Sequence, residues 1–143
     1  PPLLRLAAAA LLLALTVVVH AVGLMAILRW VVRSHHPEER QPVWAATWLV
    51  VRVAWALMLI HSAEIVAWGI LYWRNRWLPD LESAVYFSGV TYTSVGYGDL
   101  VLPSPWRLIA PVEALTGILM AGLSTAFFFA VVTGLVNARR RQP

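Results

Sequence analysis

Three long apolar runs constrain the fold of this chain more than any other feature of its sequence. They extend from about residue 6 to 28, from about 43 to 73 and from about 108 to 136. About 20 apolar residues are enough for a helix to cross the hydrocarbon core of a bilayer. A helix also satisfies its own backbone hydrogen bonds in lipid. The runs therefore predict an all-α transmembrane fold with three membrane-spanning helices.

A few ionisable side chains interrupt these runs. The first run contains His20, the second contains Arg52, His61 and Glu64, and the third contains Glu113. We expect His20 to be packed or hydrogen-bonded within the protein, and Arg52 to extend its guanidinium to the cytoplasmic surface. A cleaved signal peptide is the alternative for the first run. Because that run continues well beyond its candidate cleavage site, a membrane span is favoured.

Composition agrees with a membrane protein. Hydrophobic residues make up 60% of the chain and charged residues 13%, against about 25% charged in a soluble domain. The length of 143 residues fits one domain, and the absence of cysteine excludes disulfides. The positive charges are all arginines beside apolar runs, which indicates membrane topology and lipid contact rather than a nucleic-acid partner. Because the chain begins at Pro1 rather than at methionine, we expect a trimmed sequence.

A short helix is predicted between the second and third runs, at residues 81–93. Asp80 follows Pro79 as the candidate N-cap, and Glu82 falls in the first turn. Such a helix is too short to span a bilayer, and the irregular backbone around it is tolerated at membrane depth only beside protein or a water-filled cavity. We therefore expect a re-entrant helix. Its partially negative C-terminal end favours a cation next to the residues that follow.

The short helix leads directly into Ser94-Val95-Gly96-Tyr97-Gly98-Asp99, which we call the SVGYGD segment. Glycine adopts left-handed and right-handed backbone conformations about equally readily. Two glycines one residue apart therefore allow successive carbonyl oxygens to point to one side. Four such strands around an axis would form stacked rings of oxygen that replace the water around a bare cation. Since one chain supplies one strand, this interpretation requires a tetramer.

The SVGYGD segment and its neighbours, from Thr93 to Leu100, resemble the signature of potassium channels, whose filter is built from backbone carbonyls. The resemblance covers about residues 53–136. It implies a homotetrameric, potassium-selective channel with K⁺ as the permeant ligand and no cofactor. The implied ion-binding residues are Ser94, Val95, Gly96, Tyr97 and Gly98, with Asp99 at the filter mouth.

The implied domain organisation has two parts. Residues 1–42 are an extra N-terminal transmembrane helix and a cytoplasmic link, and no role is assigned to them. Residues 43–143 are the potassium-channel pore domain, which consists of an outer helix at 43–73, a pore helix at 81–93, a filter at 94–99 and an inner helix at 107–137.

The resemblance also indicates candidate gate residues in the inner helix. Gly117 falls at the position of the family's hinge glycine, and close helix packing is an equally good explanation for a glycine there. Ser124 and Thr125 are candidates to face the central cavity. One phenylalanine of the trio 127–129, with Phe128 as the candidate, would form a hydrophobic constriction. The others are expected to contact lipid or neighbouring helices, because consecutive helical residues cannot share one face.

The chain departs from the family pattern near the filter. Ser94 replaces the usual threonine and lacks the methyl group that stiffens that side chain. Tyr86 and Phe87 stand where many relatives have paired tryptophans, and Phe87 cannot donate a hydrogen bond to the filter. Val90 occupies a position that is glutamate in some relatives, so a carboxyl pair behind the filter is not expected.

Ionisable side chains within the second and third runs form a candidate polar group. His61 and Glu64 are three residues apart and share a helical face, and Glu113 lies at a comparable depth in its own run. One interpretation is a proton-sensitive cluster of these three residues behind the pore helix. The other, which we favour, is a neutral structural network with pore-helix hydroxyls such as Ser83 or Ser88.

The distribution of arginines predicts the topology. If the filter opens outward, six arginines lie at the cytoplasmic side and four at the outer side, as the positive-inside rule favours. The protein is then a multi-pass plasma-membrane protein with its N-terminus outside and its C-terminus in the cytoplasm. The link at residues 34–42 is predicted to be a polar cytoplasmic turn in which His35 and His36 are solvated rather than metal ligands.

Two alternatives to a potassium channel remain at this point. One is a weakly selective cation channel, and the other is a non-conducting membrane subunit or scaffold in which the glycines form a re-entrant turn. An enzyme is not expected, because no nucleophile and base pair or metal-ligand set stands out in the sequence.

Overall fold

The computed structural model describes residues 2–34 and 42–140, which contain four helices and no strand. They are α1 (Pro2–Ser34), α2 (Val43–Arg74), α3 (Leu81–Tyr92) and α4 (Ile109–Arg140). Three of them, α1, α2 and α4, are long and apolar enough to cross a membrane. The prediction of an all-α fold with three candidate spans is therefore confirmed. The predictions for His35, His36 and the rest of the link at 35–41 lie outside the described residues.

The three long helices pack side by side with a definite direction. His20 and Thr16 of α1 bond to Glu64 and Trp68 of α2, so α1 and α2 run antiparallel. His20 also bonds to Ser124 of α4. Towards their C-terminal ends α1 and α4 line a common groove, so these two helices run parallel.

The short helix α3 begins at a side-chain cap. The Asp80 carboxylate accepts hydrogen bonds from the Ser83 backbone N–H at 2.7 Å and from the Ser83 hydroxyl at 3.0 Å. These bonds hold the pKa of Asp80 below its ordinary value. Glu82 lies in the first turn, where a negative charge is favourable. Both features agree with the sequence prediction.

Two apolar clusters hold the helices together. The first contains Trp68, Tyr72 and Phe87 and lies around α3. The second lies among α1, α2 and α4 and is centred on Ile27, Val53 and Leu57. Between the two clusters, at the middle of the long helices, lies a group of buried polar side chains. The apolar packing thus encloses a polar layer that joins all four helices.

Arg52 lies in the N-terminal part of α2, away from α3. Its guanidinium lies 4.7 Å from the ring centroid of Trp30 on α1. A cation over an indole face is favourable. This contact ties the C-terminal part of α1 to the N-terminal part of α2, an interaction that the sequence did not indicate.

Candidate functional site

The backbone of the SVGYGD segment alternates in handedness. Ser94, Gly96 and Gly98 have positive φ angles of 61°, 53° and 76°, whereas Val95 and Tyr97 do not have positive φ. A backbone in which the sign of φ alternates allows successive carbonyl groups to point to the same side. Ser94 adopts this conformation without being a glycine, which is uncommon for a residue that has a Cβ atom.

The segment is attached to the C-terminal turn of α3. The Ser94 N–H donates to the Thr91 carbonyl and the Gly96 N–H donates to the Val90 carbonyl, each at 2.9 Å. These bonds use carbonyl groups that a helix terminus leaves without an intrahelical partner. The position of the segment is therefore set by the position of the last turn of α3.

The other end of the segment is fixed by Asp99. Its carboxylate accepts a hydrogen bond of 2.7 Å from the Tyr86 hydroxyl. This bond holds the pKa of Asp99 below its ordinary value and raises the pKa of Tyr86. Phe87, which cannot donate, is buried in the apolar cluster around α3. Tyr86 therefore supplies the bond to the segment that its neighbour cannot make.

One side of the SVGYGD segment is open. The side chains of Val95 and Tyr97 are 52% and 72% exposed. A Cβ atom added at Gly96 or Gly98 would meet nothing within 4 Å. An irregular backbone with exposed apolar side chains is unfavourable at membrane depth unless protein covers it.

Five polar side chains from the four helices form a closed ring of hydrogen bonds, which we call the polar ring. Two bonds join Glu64 to its neighbours: His20 Nδ1 lies 3.1 Å from Glu64 Oε1, and the Tyr92 hydroxyl donates to Glu64 Oε2 at 2.5 Å. His61 Nδ1 lies 2.9 Å from the Tyr92 hydroxyl. Ser124 Oγ closes the ring at 3.0 Å from His61 Nε2 and 3.2 Å from His20 Nε2.

Membership of the polar ring changes the interpretation of two residues. His20 was expected to be hydrogen-bonded, and its partners are now identified. Ser124 was expected to face a central cavity beside Thr125, but its side chain is buried between α1 and α2 and bonds to both histidines. A side chain cannot point into that interface and also away from it, so the cavity assignment of Ser124 is wrong.

Glu113 belongs to a separate polar cluster. Its carboxyl group bonds to the Tyr72 hydroxyl and to the Ser88 hydroxyl, each at 2.5 Å. The Ser88 hydroxyl oxygen also lies 2.8 Å from the Ile65 carbonyl oxygen. Ser88 was one of the predicted hydroxyl partners. The described hydrogen bonds of Glu113 do not include His61 or Glu64, so its grouping with those two residues stays a prediction. Each carboxylate is placed by a different tyrosine, Glu64 by Tyr92 and Glu113 by Tyr72.

Gly117 lies where α4 crosses the end of α3. A Cβ atom at this position would lie 2.0 Å from the Tyr92 carbonyl oxygen. Of the two explanations that the sequence left open, close helix packing therefore has a direct structural cause. The absence of a side chain at Gly117 allows α4 to contact the backbone that leads into the SVGYGD segment.

The exposed face of α4 carries Ile118, Thr125 and Phe129. These residues are separated by seven and four positions, so they lie on one stripe of the helix. Phe129 is 71% exposed. Phe128 instead packs with Phe127 against the apolar cluster of Ile27, Val53 and Leu57. The candidate constriction residue is therefore Phe129 rather than Phe128.

His20, His61 and Glu64 are also compact enough to be considered as metal ligands, because their ligand atoms lie within 4.8 Å of one another. The described part of the chain contains no buried side-chain polar atom without a hydrogen-bond partner. A metal ion would therefore have to replace existing hydrogen bonds. We assign no metal to these residues.

Sequence reasoning missed three members of these polar groups. Tyr72 and Tyr92 were not singled out, and His20 was treated as isolated. The sequence could have indicated these residues, because each carboxylate in an apolar run needs a hydrogen-bond partner at the same depth. Tyrosine, whose hydroxyl extends beyond its ring, is a suitable donor.

Comparison with known families gives one match. A family model described as an ion channel matches residues 43–134, which cover α2, α3, the SVGYGD segment and most of α4. The helix α1 lies outside the matched residues. Comparison with curated proteins and with solved structures gives no match.

Proposed function

The chain belongs to the two-transmembrane ion channel family, with one additional apolar helix at its N-terminus, and we propose that it forms a homotetrameric potassium-selective channel. In this proposal α2 is the outer helix, α3 is a re-entrant pore helix, the SVGYGD segment is the selectivity filter and α4 is the inner helix.

The observation that carries the proposal is the alternating backbone of the filter. Among residues 94–98, Ser94, Gly96 and Gly98 have positive φ and the residues between them do not. This is the backbone pattern that allows successive carbonyl oxygens to point to one side. Backbone carbonyls that replace the hydration shell are the means by which potassium channels select their ion. Ser94, Val95, Gly96, Tyr97 and Gly98 are the proposed ion-binding residues, and Asp99 stands at the mouth.

The open face of the filter supports the tetramer. A single strand contacts an ion from one side only, so several copies must meet around an axis to surround it. The exposed side chains of Val95 and Tyr97 would then contact neighbouring subunits. The C-terminal end of α3, which leads into the filter, directs its partial negative charge towards the ion path.

Arginine positions support an orientation. At the end of the bundle where α1 begins, α2 ends and α4 begins lie Arg5, Arg74, Arg76 and Arg107. At the opposite end, Arg29 and Arg33 lie in the C-terminal part of α1, and Arg139 and Arg140 lie in the last turn of α4. The sequence adds Arg40 in the link and Arg141 after α4, so six arginines against four favour the second end as cytoplasmic under the positive-inside rule. We propose a plasma-membrane protein with the N-terminus and the filter mouth outside and the C-terminus in the cytoplasm.

The test is a recording from the purified full chain in a planar bilayer with potassium on one side and sodium on the other. A reversal potential close to the potassium equilibrium potential supports the proposal. A reversal potential near zero indicates the weakly selective cation channel instead. The absence of any current, together with no potassium flux from liposomes, indicates the non-conducting subunit or scaffold.

A further inference from the structure

The centre of helix α1 forms hydrogen bonds to the pore unit, by which we mean α2, α3, the filter and α4. His20 has 0% relative exposure and lies near the middle of α1, deep within the proposed membrane span. A buried polar group is costly unless it is hydrogen-bonded. Both imidazole nitrogens of His20 are used, one by Glu64 of α2 and the other by Ser124 of α4. One turn earlier, Thr16 accepts a hydrogen bond of 3.1 Å from the Trp68 indole.

Glu64 connects His20 to the end of α3 through hydrogen bonds. One carboxylate oxygen faces His20 and the other accepts from the Tyr92 hydroxyl. Tyr92 is the last residue of α3 and lies two positions before Ser94. Its carbonyl lies against Gly117, so Tyr92 is held at its hydroxyl by the polar ring and at its backbone by α4.

The hydrogens of the polar ring can be counted. Five hydrogen bonds close the ring, and each bond needs one hydrogen. Tyr92 and Ser124 supply one hydroxyl hydrogen each, and each neutral imidazole supplies one N–H. With Glu64 ionised, these groups supply four hydrogens, so one of the five bonds has none.

A single added proton completes the ring. The count is the same whether this proton resides on His20, His61 or Glu64. The added proton also makes the five side chains together electrically neutral, whereas without it they carry one negative charge. An uncompensated charge at membrane depth is unfavourable, so hydrogen bonding and charge require the same proton.

No other titratable group on the packed faces supplies this proton within the described residues. The ring includes His20 on α1, His61 and Glu64 on α2, and Tyr92 on α3. Glu113 of α4 and Tyr72 of α2 bond to each other, and Glu113 bonds to Ser88 rather than to the ring. The His61 side chain is 22% exposed, whereas those of His20 and Glu64 are almost fully buried. Within the chain, His61 is therefore the least covered of the three ionisable members of the ring on α1 and α2.

We propose that the polar ring is a binding site for one proton and that His20, acting through Glu64 on Tyr92, is a positioning residue for the inner end of the filter. Release of the proton leaves one of the five bonds without a hydrogen and so weakens the ring that holds Tyr92, two residues before the filter. In this arrangement α1 is part of the pore unit. The inference rests on the proposed function, because its effect is measured at the filter.

Two isosteric variants fix the ring in its two states. In Glu64→Gln the amide N–H supplies the fifth hydrogen and the amide oxygen still accepts from Tyr92, so the ring is closed at every pH. In Tyr92→Phe the hydroxyl between Glu64 and His61 is lost, so the ring is open at every pH. We expect the wild-type protein to match Glu64→Gln at low pH and to approach Tyr92→Phe as the pH is raised. Neither variant should respond to pH through the ring.

The measurements are the potassium-to-sodium reversal potential and the block by barium from the cytoplasmic side, recorded in planar bilayers with the pH varied on each side. His20→Leu opens the ring from α1 and should behave as Tyr92→Phe does. Tyr72→Phe is the matched control, since it removes a buried tyrosine bond to a carboxyl group outside the ring. It should retain the pH response of the wild type.

A second measurement separates this inference from the proposed function. Nitrogen-15 spectra of the imidazoles in liposomes do not require conduction. Signals of His20 and His61 that titrate in the wild type and remain fixed in Glu64→Gln support the ring even if no variant passes potassium. A Glu64→Gln protein that retains the wild-type pH response would overturn the inference. So would a wild type identical to Tyr92→Phe at every pH, or a stoichiometric transition metal in the purified protein.

Discussion

At the scale of single residues, glycine serves two different purposes in this chain. Gly96 and Gly98 have positive φ angles and open space around them, so what they provide is backbone conformation. Gly117 has no such angle but faces the Tyr92 carbonyl at a distance that excludes a Cβ atom, so what it provides is space. Substitution with alanine should therefore fail in different ways at these positions.

Gly96→Ala tests the conformational requirement. A left-handed conformation costs a residue with a Cβ atom about 1–2 kcal/mol, and the change adds a methyl group beside the proposed ion path. We expect loss of selective potassium current with membrane insertion and subunit assembly retained. The measurement is the reversal potential together with gel filtration in detergent. Gly134→Ala, at a position that also has open space, is the control, and unchanged selectivity in Gly96→Ala would remove the filter assignment.

Tyr86→Phe tests the bond at the filter mouth through its pH dependence. The Tyr86 hydroxyl lowers the pKa of Asp99, so the bond is fully present above the ordinary aspartate pKa of about 3.9. It is lost only as the pH falls through the lower pKa of the folded protein. Without the hydroxyl, Asp99 should be protonated at a higher pH than in the wild type. Titration of single-channel conductance with acid on the outer side should therefore show an earlier decline in Tyr86→Phe.

Asp99→Asn is the control for this titration. It removes the titrating group, so its conductance should not show the Asp99 decline in the same acid range. Coincident acid titrations of the wild type and Tyr86→Phe would show that the hydroxyl does not act on Asp99.

At the scale of elements, Gly117→Ala tests the contact between α4 and α3. Because the added methyl group would lie 2.0 Å from a backbone oxygen, relief requires movement of a helix rather than of a side chain. Overpacking of this kind costs about 1–3 kcal/mol or more. We expect a tetramer that dissociates at a lower temperature and a disturbed filter. Gly134→Ala should be neutral or stabilising, since alanine favours a helix by about 1 kcal/mol.

The existence of each helix could be predicted from sequence, because apolar length and the Asp80 cap are local signals. The bounds of the helices were less well predicted. The helix α1 extends from Pro2 to Ser34, beyond its apolar run at both ends, and α4 extends from Ile109 to Arg140, beyond its run at the C-terminal end. The hydrogen-bond partners of the buried polar side chains were harder still to predict. His20 bonds to residues 44 and 104 positions away, and such pairs depend on helix rotation, which a nearly uniform apolar surface does not reveal.

The same reason explains the errors in α4. Its surface is apolar almost all round, so periodicity could not show which of Ser124 or Thr125, and which of three phenylalanines, faces the helix neighbours. Packing with α1 decides the rotation, and α1 lies outside the pore pattern from which the gate residues were inferred. Glu113 was grouped with Glu64 on depth alone, and its described hydrogen bonds go to Ser88 and Tyr72.

At the scale of the whole molecule, packing within the chain decides which face of α4 is left to meet other chains in the proposed tetramer. One face contacts α1, α2 and α3 through Ser124, Gly117 and Glu113. The opposite stripe, with Ile118, Thr125 and Phe129, has no cover within the described chain. Around a central axis this stripe would line the cavity below the filter, and Phe129 would form its narrowest ring.

The last prediction compares two adjacent phenylalanines. Phe129→Ala should widen the proposed constriction, so that quaternary ammonium blockers applied from the cytoplasmic side enter and leave faster, with little change in tetramer stability. Phe128→Ala should instead weaken the packing against Ile27, Val53 and Leu57 and lower the dissociation temperature of the tetramer. Because the two changes delete the same atoms one residue apart, only the rotation of α4 separates their effects. If Phe128→Ala changed the blocker kinetics and Phe129→Ala lowered the stability, α4 would be rotated in the assembled channel and α1 would pack differently there.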